Sequence, residues 1–258
     1  MNLKTLSRSI QGSVAIVTGA ASGMGRATAH LFAEEGARLA LLDINREALD
    51  TVAGEVTSVG AEVITCVADL GSREAVEAAV EGAADHFGAI DILVNNAGLA
   101  IPTAIDAENF FDSWDRSMAV MAGAQAWAIR AALPLLKASA DPRVVNIAST
   151  EALGASPMMS TYTVAKHASV GLTRAMALEL GADGITVNCI CPGPIHTGIT
   201  AGIASEDKQK FARRRTALRR YGEPEEIAHA ILNLVLPASG FITGATLLVD
   251  GGLTIRNA

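Results

Sequence analysis

From residue 13 onward the chain alternates short β-branched apolar runs with longer stretches whose apolar residues recur every three or four positions. The short runs are VAIVT (14–18), RLALLD (38–43), EVITCV (62–67), DILVN (91–95), RVVNIA (143–148), ITVNCIC (185–191) and ATLLV (245–249). Each is nearly continuous in apolar residues, the pattern of a parallel strand covered on both faces by helices. The longer stretches predict helices at about 23–35, 46–58, 72–86, 113–138, 160–180 and 223–236. Alternation of this kind implies right-handed βαβ crossovers and an α/β fold built on one doubly wound parallel sheet. No Pro- or Ser-rich linker and no internal repeat divides the chain, so a single domain over 1–258 is expected.

Two stretches break the alternation. Residues 99–112 and 195–221 each follow the carboxyl end of a strand. In open α/β sheets that edge is where ligands bind, so both are expected to be substrate loops or lids.

Composition narrows the function. Half of the 258 residues are hydrophobic and 18% are charged, which suits a well-buried globular protein and not a disordered one. The net charge of -7 argues against nucleic acid or an anionic membrane surface as partner. The local exception is Arg213, Arg214, Arg215, Arg219 and Arg220, read as a solvated, helix-stabilising charge run in preference to an anion-steering patch. No apolar run reaches about 18 residues, so no membrane span is expected, and the first ten residues lack the apolar core of a signal peptide. Cys66, Cys189 and Cys191 are too few for a disulfide framework and lack the partners of a zinc site. They are read as buried thiols in a reducing cytosol, with no metal expected.

The first strand runs into Thr18-Gly19-Ala20-Ala21-Ser22-Gly23-Met24-Gly25, directly ahead of a helix. Glycines there permit a tight turn and close approach to a pyrophosphate, which the free amides of the helix N-terminus would bind. Asp43 ends the second strand, 18 positions beyond Gly25. A carboxylate there can accept from both adenosine ribose hydroxyls and repels a 2′-phosphate, which selects NAD over NADP. Ala20, Ala21, Ser22 and Ile44 supply no cation to offset that repulsion, and Arg46 is read as a solvated first-turn residue.

Tyr162 and Lys166, in STYTVAKH, stand four apart on a helix and so share a face. A phenol is a poor base at neutral pH, and an adjacent ammonium is expected to pull its pKa down, making it a proton-transfer catalyst. Ser149, at the end of the fifth strand, reads either as a turn cap or as a hydroxyl that holds a substrate oxygen.

Together these residues resemble the short-chain dehydrogenase/reductase family. The resemblance rests on the glycine turn, Asn95-Asn96-Ala97-Gly98, Ser149, Tyr162-x-x-x-Lys166, Pro192-Gly193 with Thr197, and the closing Gly244 to Gly252, and it spans about 13–252. It implies a Rossmann-like sheet of seven strands with a nicotinamide cofactor across its carboxyl edge. By the same resemblance Tyr162 is the acid/base, Lys166 tunes it and holds the nicotinamide ribose, and Ser149 positions the substrate. Asp69 and Leu70 would lie at the adenine, Asn95, Ala97 and Gly98 along the cofactor, and Thr197 at the carboxamide, with Pro192, Gly193 and Ile195 completing that set. A homotetramer or homodimer paired through the long helices is implied as well.

One departure stands out. Where the family carries an Asn that holds a proton-relay water for the lysine, this chain has Met121, whose thioether donates no hydrogen bond. Ser117 and Gln125, a turn to either side, are the groups placed to take over that water. Glu151, Met159 and His196 are the candidate substrate contacts, with Glu151 pointing to a polyol, sugar or amino-alcohol. The resulting expectation is an NAD-dependent enzyme interconverting a secondary alcohol and a ketone. The alternatives are a 3-oxoacyl thioester reductase and a catalytically weak dinucleotide sensor.

Overall fold

All seven expected strands form in the computed structural model, which describes residues 4–256. They are β1 (Val14–Thr18), β2 (Arg38–Asp43), β3 (Val63–Val67), β4 (Ile92–Asn95), β5 (Arg143–Ile147), β6 (Thr186–Pro192) and β7 (Thr246–Val249). Every pairing is parallel, in the order β3-β2-β1-β4-β5-β6-β7. The order reverses between β1 and β4, and a crevice opens at the carboxyl edge on that switch point. Register brings the edge level, with Thr18 opposite Leu42, Val17 opposite Val94 and Asn95 opposite Asn146.

The central strands β1, β4, β5 and β6 are buried throughout. The edge strands differ from the expectation of cover on both faces. In β3 Val67 is exposed, and in β7 Leu247 and Leu248 are exposed, because an edge strand has a neighbour on one side only.

Helices α1 (Gly23–Glu34), α2 (Arg46–Ser58) and α3 (Arg73–Phe87) follow the first three strands. Side chains at their ends fix two of them. Asn45 accepts from the Ala48 amide and Ser72 from the Ala75 amide, while Gly88 closes α3 in the left-handed conformation. α8 (Pro224–Val235) begins with a proline at its first position and a Glu223–Glu226 capping box, and packs on α1 across the sheet's first face.

The helix expected over 113–138 starts earlier and is not uniform. It comprises α4 (Phe110–Met118), a π-turn (Ala119–Gly123) and α5 (Ala124–Ala138). Phe110, Ser113 and Ser117 put one buried stripe on α4, which is why the helix extends back to 110. By length and composition Phe110–Ala138 could cross a membrane, but Ala124, Ala128, Ile129, Ala132 and Leu136 bury their faces in the core shared with α3 and β4.

The stretch 195–221, expected as a loop, contains α7 (Ser205–Arg215). Glu206 and Asp207 occupy its first turn and Arg213, Arg214 and Arg215 its last, so the arginines sit where the helix dipole favours cations. Arg220 forms a two-pronged pair with Glu226. The long α6 (Ser160–Leu180) lies beside the π-turn and beneath the edge of β6.

Candidate active site

At the nucleotide end, two kinds of glycine shape the turn after β1. Gly19 and Gly23 have φ of 66° and 52°, which side chains disfavour. Gly25 is needed for space instead: a Cβ there would stand 2.1 Å from the Gly19 carbonyl oxygen. The turn is locked to β4 by Thr18 and Asn96. The Thr18 hydroxyl accepts from the Asn96 and Ala97 amides at 2.9 and 3.1 Å, and the Asn96 side chain donates to the Thr18 carbonyl at 2.9 Å. The first turn of α1 therefore opens on the crevice with amides that have no helical acceptor.

Asp43 stands at the rim. Its Oδ2 accepts from the Ala21 amide at 3.0 Å and its Oδ1 from the Asn45 amide at 2.9 Å. Both oxygens keep lone pairs free for hydroxyl donors. Among the described residues lining the crevice the cations are Lys166 and Arg116, and Arg116 is committed to Asp69 at 2.8 Å. Arg46 is exposed and does not line it. These features fit the adenosine half of a dinucleotide.

At the other end, Ser149, Tyr162 and Lys166 line the same crevice of about 410 Å³. The ammonium of Lys166 is buried, donates to the Ile147 carbonyl at 2.8 Å and lies 5.6 Å from the centre of the Tyr162 ring. Ser149 accepts from the Glu151 amide at 3.1 Å and so caps a short 3-10 turn while still facing the crevice. Burial pulls Lys166 down to about 8. Burial also pushes the Tyr162 phenol above its ordinary value, against the opposing effect of the Ser149 hydroxyl. Desolvation is the largest effect at the phenol, and the ammonium also bonds the Ile147 carbonyl.

The crevice brings together Gly19, Ser22, Gly23, Met24, Asp43, Ile44, Asp69, Leu70, Ala97, Gly98, Pro192, Gly193, Ile195 and Thr197, as the sequence suggested. Two expected members lie elsewhere. Gly25 is packed behind the turn, and the Asn95 side chain points into the sheet, donating to Asn146 at 2.8 Å. The neighbouring Asn96 lines the crevice in its place.

The substrate candidates also stand apart from the crevice wall. Glu151 accepts from Ser156 at 2.7 Å and Thr163 at 3.0 Å, clasping its loop to the start of α6. Met159 precedes the first turn of α6 and accepts there from the Thr163 amide. His196 stacks near Tyr221, ring centres 5.1 Å apart, and faces a second cavity between α1, α7 and α8. Sequence reasoning missed Leu99, Arg116 and Val120, which line the crevice from the loop 99–112, α4 and the π-turn respectively. The position of 99–112 after a strand hinted at Leu99 alone.

Met121 is fully buried in the π-turn with Val120 and Ala165, and its sulfur lies 3.8 Å from where a Gly98 Cβ would be. Its carbonyl accepts from Ser169 at 3.0 Å. Of the two expected substitutes, Ser117 donates to Thr161, and the buried Gln125 amide has no partner among the described residues.

Comparison with known proteins agrees with this geometry. Residues 19–254 match a family model described as enoyl-(acyl carrier protein) reductase. A curated relative, (2S)-[(R)-hydroxy(phenyl)methyl]succinyl-CoA dehydrogenase subunit BbsD of Thauera aromatica, is 41% identical over 95% of this chain and 98% of its own. The chain belongs to the short-chain dehydrogenase/reductase family. Another family member, meso-2,3-butanediol dehydrogenase of Serratia marcescens, is 39% identical over 93% of this chain and 94% of its own. Among solved short-chain dehydrogenase/reductase structures, carveol dehydrogenase from Mycobacterium avium in complex with NAD superposes with a TM-score of 0.92 at 26% identity, covering 97% of this chain and all of that one. L-sorbose reductase from Gluconobacter frateurii, complexed with NADPH and L-sorbose, gives 0.91 at 29% identity, covering 98% and 100%. By their names these relatives act on alcohols and ketones, and the two solved structures hold NAD in one case and NADPH in the other; this chain is an oxidoreductase of the same family.

Proposed function

We propose that the protein is an NAD-dependent oxidoreductase that interconverts a secondary alcohol and a ketone, with Tyr162 moving the proton. The observation that carries this is the joint placement of Ser149, Tyr162 and Lys166 at one end of a crevice whose other end is rimmed by Asp43. A bound nicotinamide supplies the hydride acceptor or donor. The chain's own residues do the rest. Ser149 donates a hydrogen bond to the substrate oxygen, and Tyr162 takes the proton from that oxygen in oxidation or gives it in reduction. Lys166, when charged, stabilises the phenolate and offers its remaining donors to the ribose. Asp43 supports NAD over NADP, because a 2′-phosphate beside its pinned carboxylate would meet like charge, and Arg46 does not line the crevice.

The names of the butanediol and carveol dehydrogenases support a secondary alcohol as substrate. A second reading, an acyl thioester as substrate, draws support from the CoA-thioester relative and the family description. Loops 99–112 and 195–221 would then shape the substrate site. The protein would work in a reducing cytoplasm, consistent with its three free cysteines, and as a homotetramer or homodimer.

A panel of alcohols, ketones and 3-oxoacyl thioesters, followed by NADH absorbance, tests the proposal. Replacing Tyr162 by Phe is expected to lower kcat/KM by about 10²- to 10⁴-fold, the usual size of general acid–base catalysis. Turnover that persisted in Tyr162→Phe would remove the central claim.

A further inference from the structure

Met158 is held at φ 63°, in the left-handed region that glycine and asparagine enter readily and a methionine does not. Its side chain is 57% exposed, so burial does not offset that strain. The conformation is fixed by the chain around it. The Met158 carbonyl accepts from the Thr103 amide at 2.8 Å, and the next amide, of Met159, donates to the Ser156 carbonyl at 3.2 Å. Thr103 is itself buried, its hydroxyl 3.0 Å from the Ile101 carbonyl and 3.1 Å from the Ser113 hydroxyl. The Thr103–Met158 bond therefore buckles two stretches together. One is 99–112, which leaves the crevice at Leu99; the other is 150–159, which runs between the crevice residues Ser149 and Tyr162. A glycine at 158 would make the same backbone bond without strain, so what the methionine adds is its side chain.

The neighbouring groups define what that side chain meets. Polar reach from 150–159 is already spent within the chain, since Glu151 accepts from Ser156 and Thr163 and does not line the crevice. At the catalytic end the wall includes Leu99, which packs with Tyr162 on Met121 and Ala165, and Ile199 of the stretch after β6. The two buckled stretches also expose Ile105 and Leu153. A thioether on an unbranched chain adapts to irregular apolar shapes and makes favourable contacts with aromatic rings. Resting on the alcohol–ketone reading above, we infer that Met158 is a specificity-determining residue: it closes on the hydrocarbon part of a secondary alcohol or ketone whose reacting carbon bears an aryl or alicyclic group, and selects against a polyol. The polyol or sugar expected from Glu151 is thereby replaced by an apolar substrate class.

The test follows NADH formation from two apolar probes, cyclohexanol and 1-phenylethanol, and two polyols, 2,3-butanediol and myo-inositol, in the parent, Met158→Gly and Met158→Leu proteins. The parent is expected to favour the apolar pair in kcat/KM by about tenfold or more. Met158→Gly lowers that ratio by about tenfold, the lower end of what a small apolar contact contributes to discrimination. Met158→Leu keeps it, being apolar on the same backbone. Met158→Gly is also expected to melt about 1–4 °C higher, because relief of the strained φ exceeds the added freedom of the unfolded chain. A merely structural role for Met158 would lower kcat/KM for all four probes alike, so an unchanged ratio in Met158→Gly overturns the inference. A lower melting temperature for Met158→Gly overturns it too, since the side chain would then be serving the fold. An active parent that favours the polyols removes this inference alone, whereas a parent inactive on all four probes, or equally active as Tyr162→Phe, removes the alcohol–ketone reading on which it rests.

Discussion

Lys166 carries a buried cationic head at the crevice wall, and among the described residues its acceptor is the Ile147 carbonyl. Burial brings its pKa from 10.5 to about 8, which corresponds to roughly 3 kcal/mol held against the charged form at neutral pH. The sign follows from proton binding. Between about pH 8 and 10.5 the unfolded chain binds more protons at this residue than the folded one, so stability gains as pH rises through that window, and the full cost applies below it. Lys166→Met is therefore expected to abolish turnover and yet stabilise the fold at pH 7. Leaving the Ile147 carbonyl without its donor offsets part of the gain, so the net is about 1–2 kcal/mol. For a chain of this size that is a rise of about 2–8 °C in melting temperature at pH 7, which shrinks as pH rises and reverses to a small loss by about pH 10, where only the missing Ile147 hydrogen bond remains. Thermal melts at pH 7 and pH 10 check it, and a variant that melted lower at pH 7 would show that the ammonium is better solvated than its burial implies. The choice of a buried lysine over a methionine of similar volume is thus explained by chemistry and not by stability.

At the scale of elements, what could be read in the chain was what periodicity encodes. The strands announce themselves because a parallel strand buried on both faces has no polar side to interrupt the run, and each observed strand lies within a residue of its expected bounds. α7 was illegible for the complementary reason. Ala212 is its single buried residue, so no apolar stripe exists to be read, and the helix draws on acidic residues in its first turn and basic ones in its last. The π-turn was illegible because its causes are distant in sequence. Gly123 admits the Trp127 ring, which would come within 2.8 Å of a Cβ there, and Ser169 of α6 satisfies the Met121 carbonyl from 48 residues away. The same non-local logic hid the Thr18–Asn96 lock and the Arg116–Asp69 pair. Ser169→Ala is expected to leave the Met121 carbonyl buried without its donor, costing about 1–3 kcal/mol and lowering the melting temperature by about 2–12 °C. Calorimetric melts of the variant and parent decide this. Equal melting temperatures would mean that the π-turn is held by the apolar packing of Met121 with Val120 and Ala165 alone.

For the whole molecule, the crevice joins parts that the sheet alone leaves separate. Its wall runs from β1, β2 and β3 on one side of the switch point to β5, β6, α6 and the stretch after β6 on the other. A dinucleotide lying along it would therefore be held by both halves and would stabilise the folded state by mass action, by about 2.7 kcal/mol at a hundredfold excess over its Kd. That predicts a rise of about 5–11 °C in melting temperature with saturating NADH. NADPH at the same concentration is expected to give a smaller rise, because its 2′-phosphate meets the Asp43 carboxylate pinned by the Ala21 and Asn45 amides. Asp43→Ser removes the charge while keeping a hydroxyl for the ribose, so the two rises should converge, chiefly through a larger NADPH effect. Thermal scans of both proteins with each nucleotide measure this without knowledge of the substrate. Equal rises for NADH and NADPH in the parent would mean that the 2′-position points away from Asp43 into solvent, and the assignment of NAD would fall while the crevice remained a dinucleotide site.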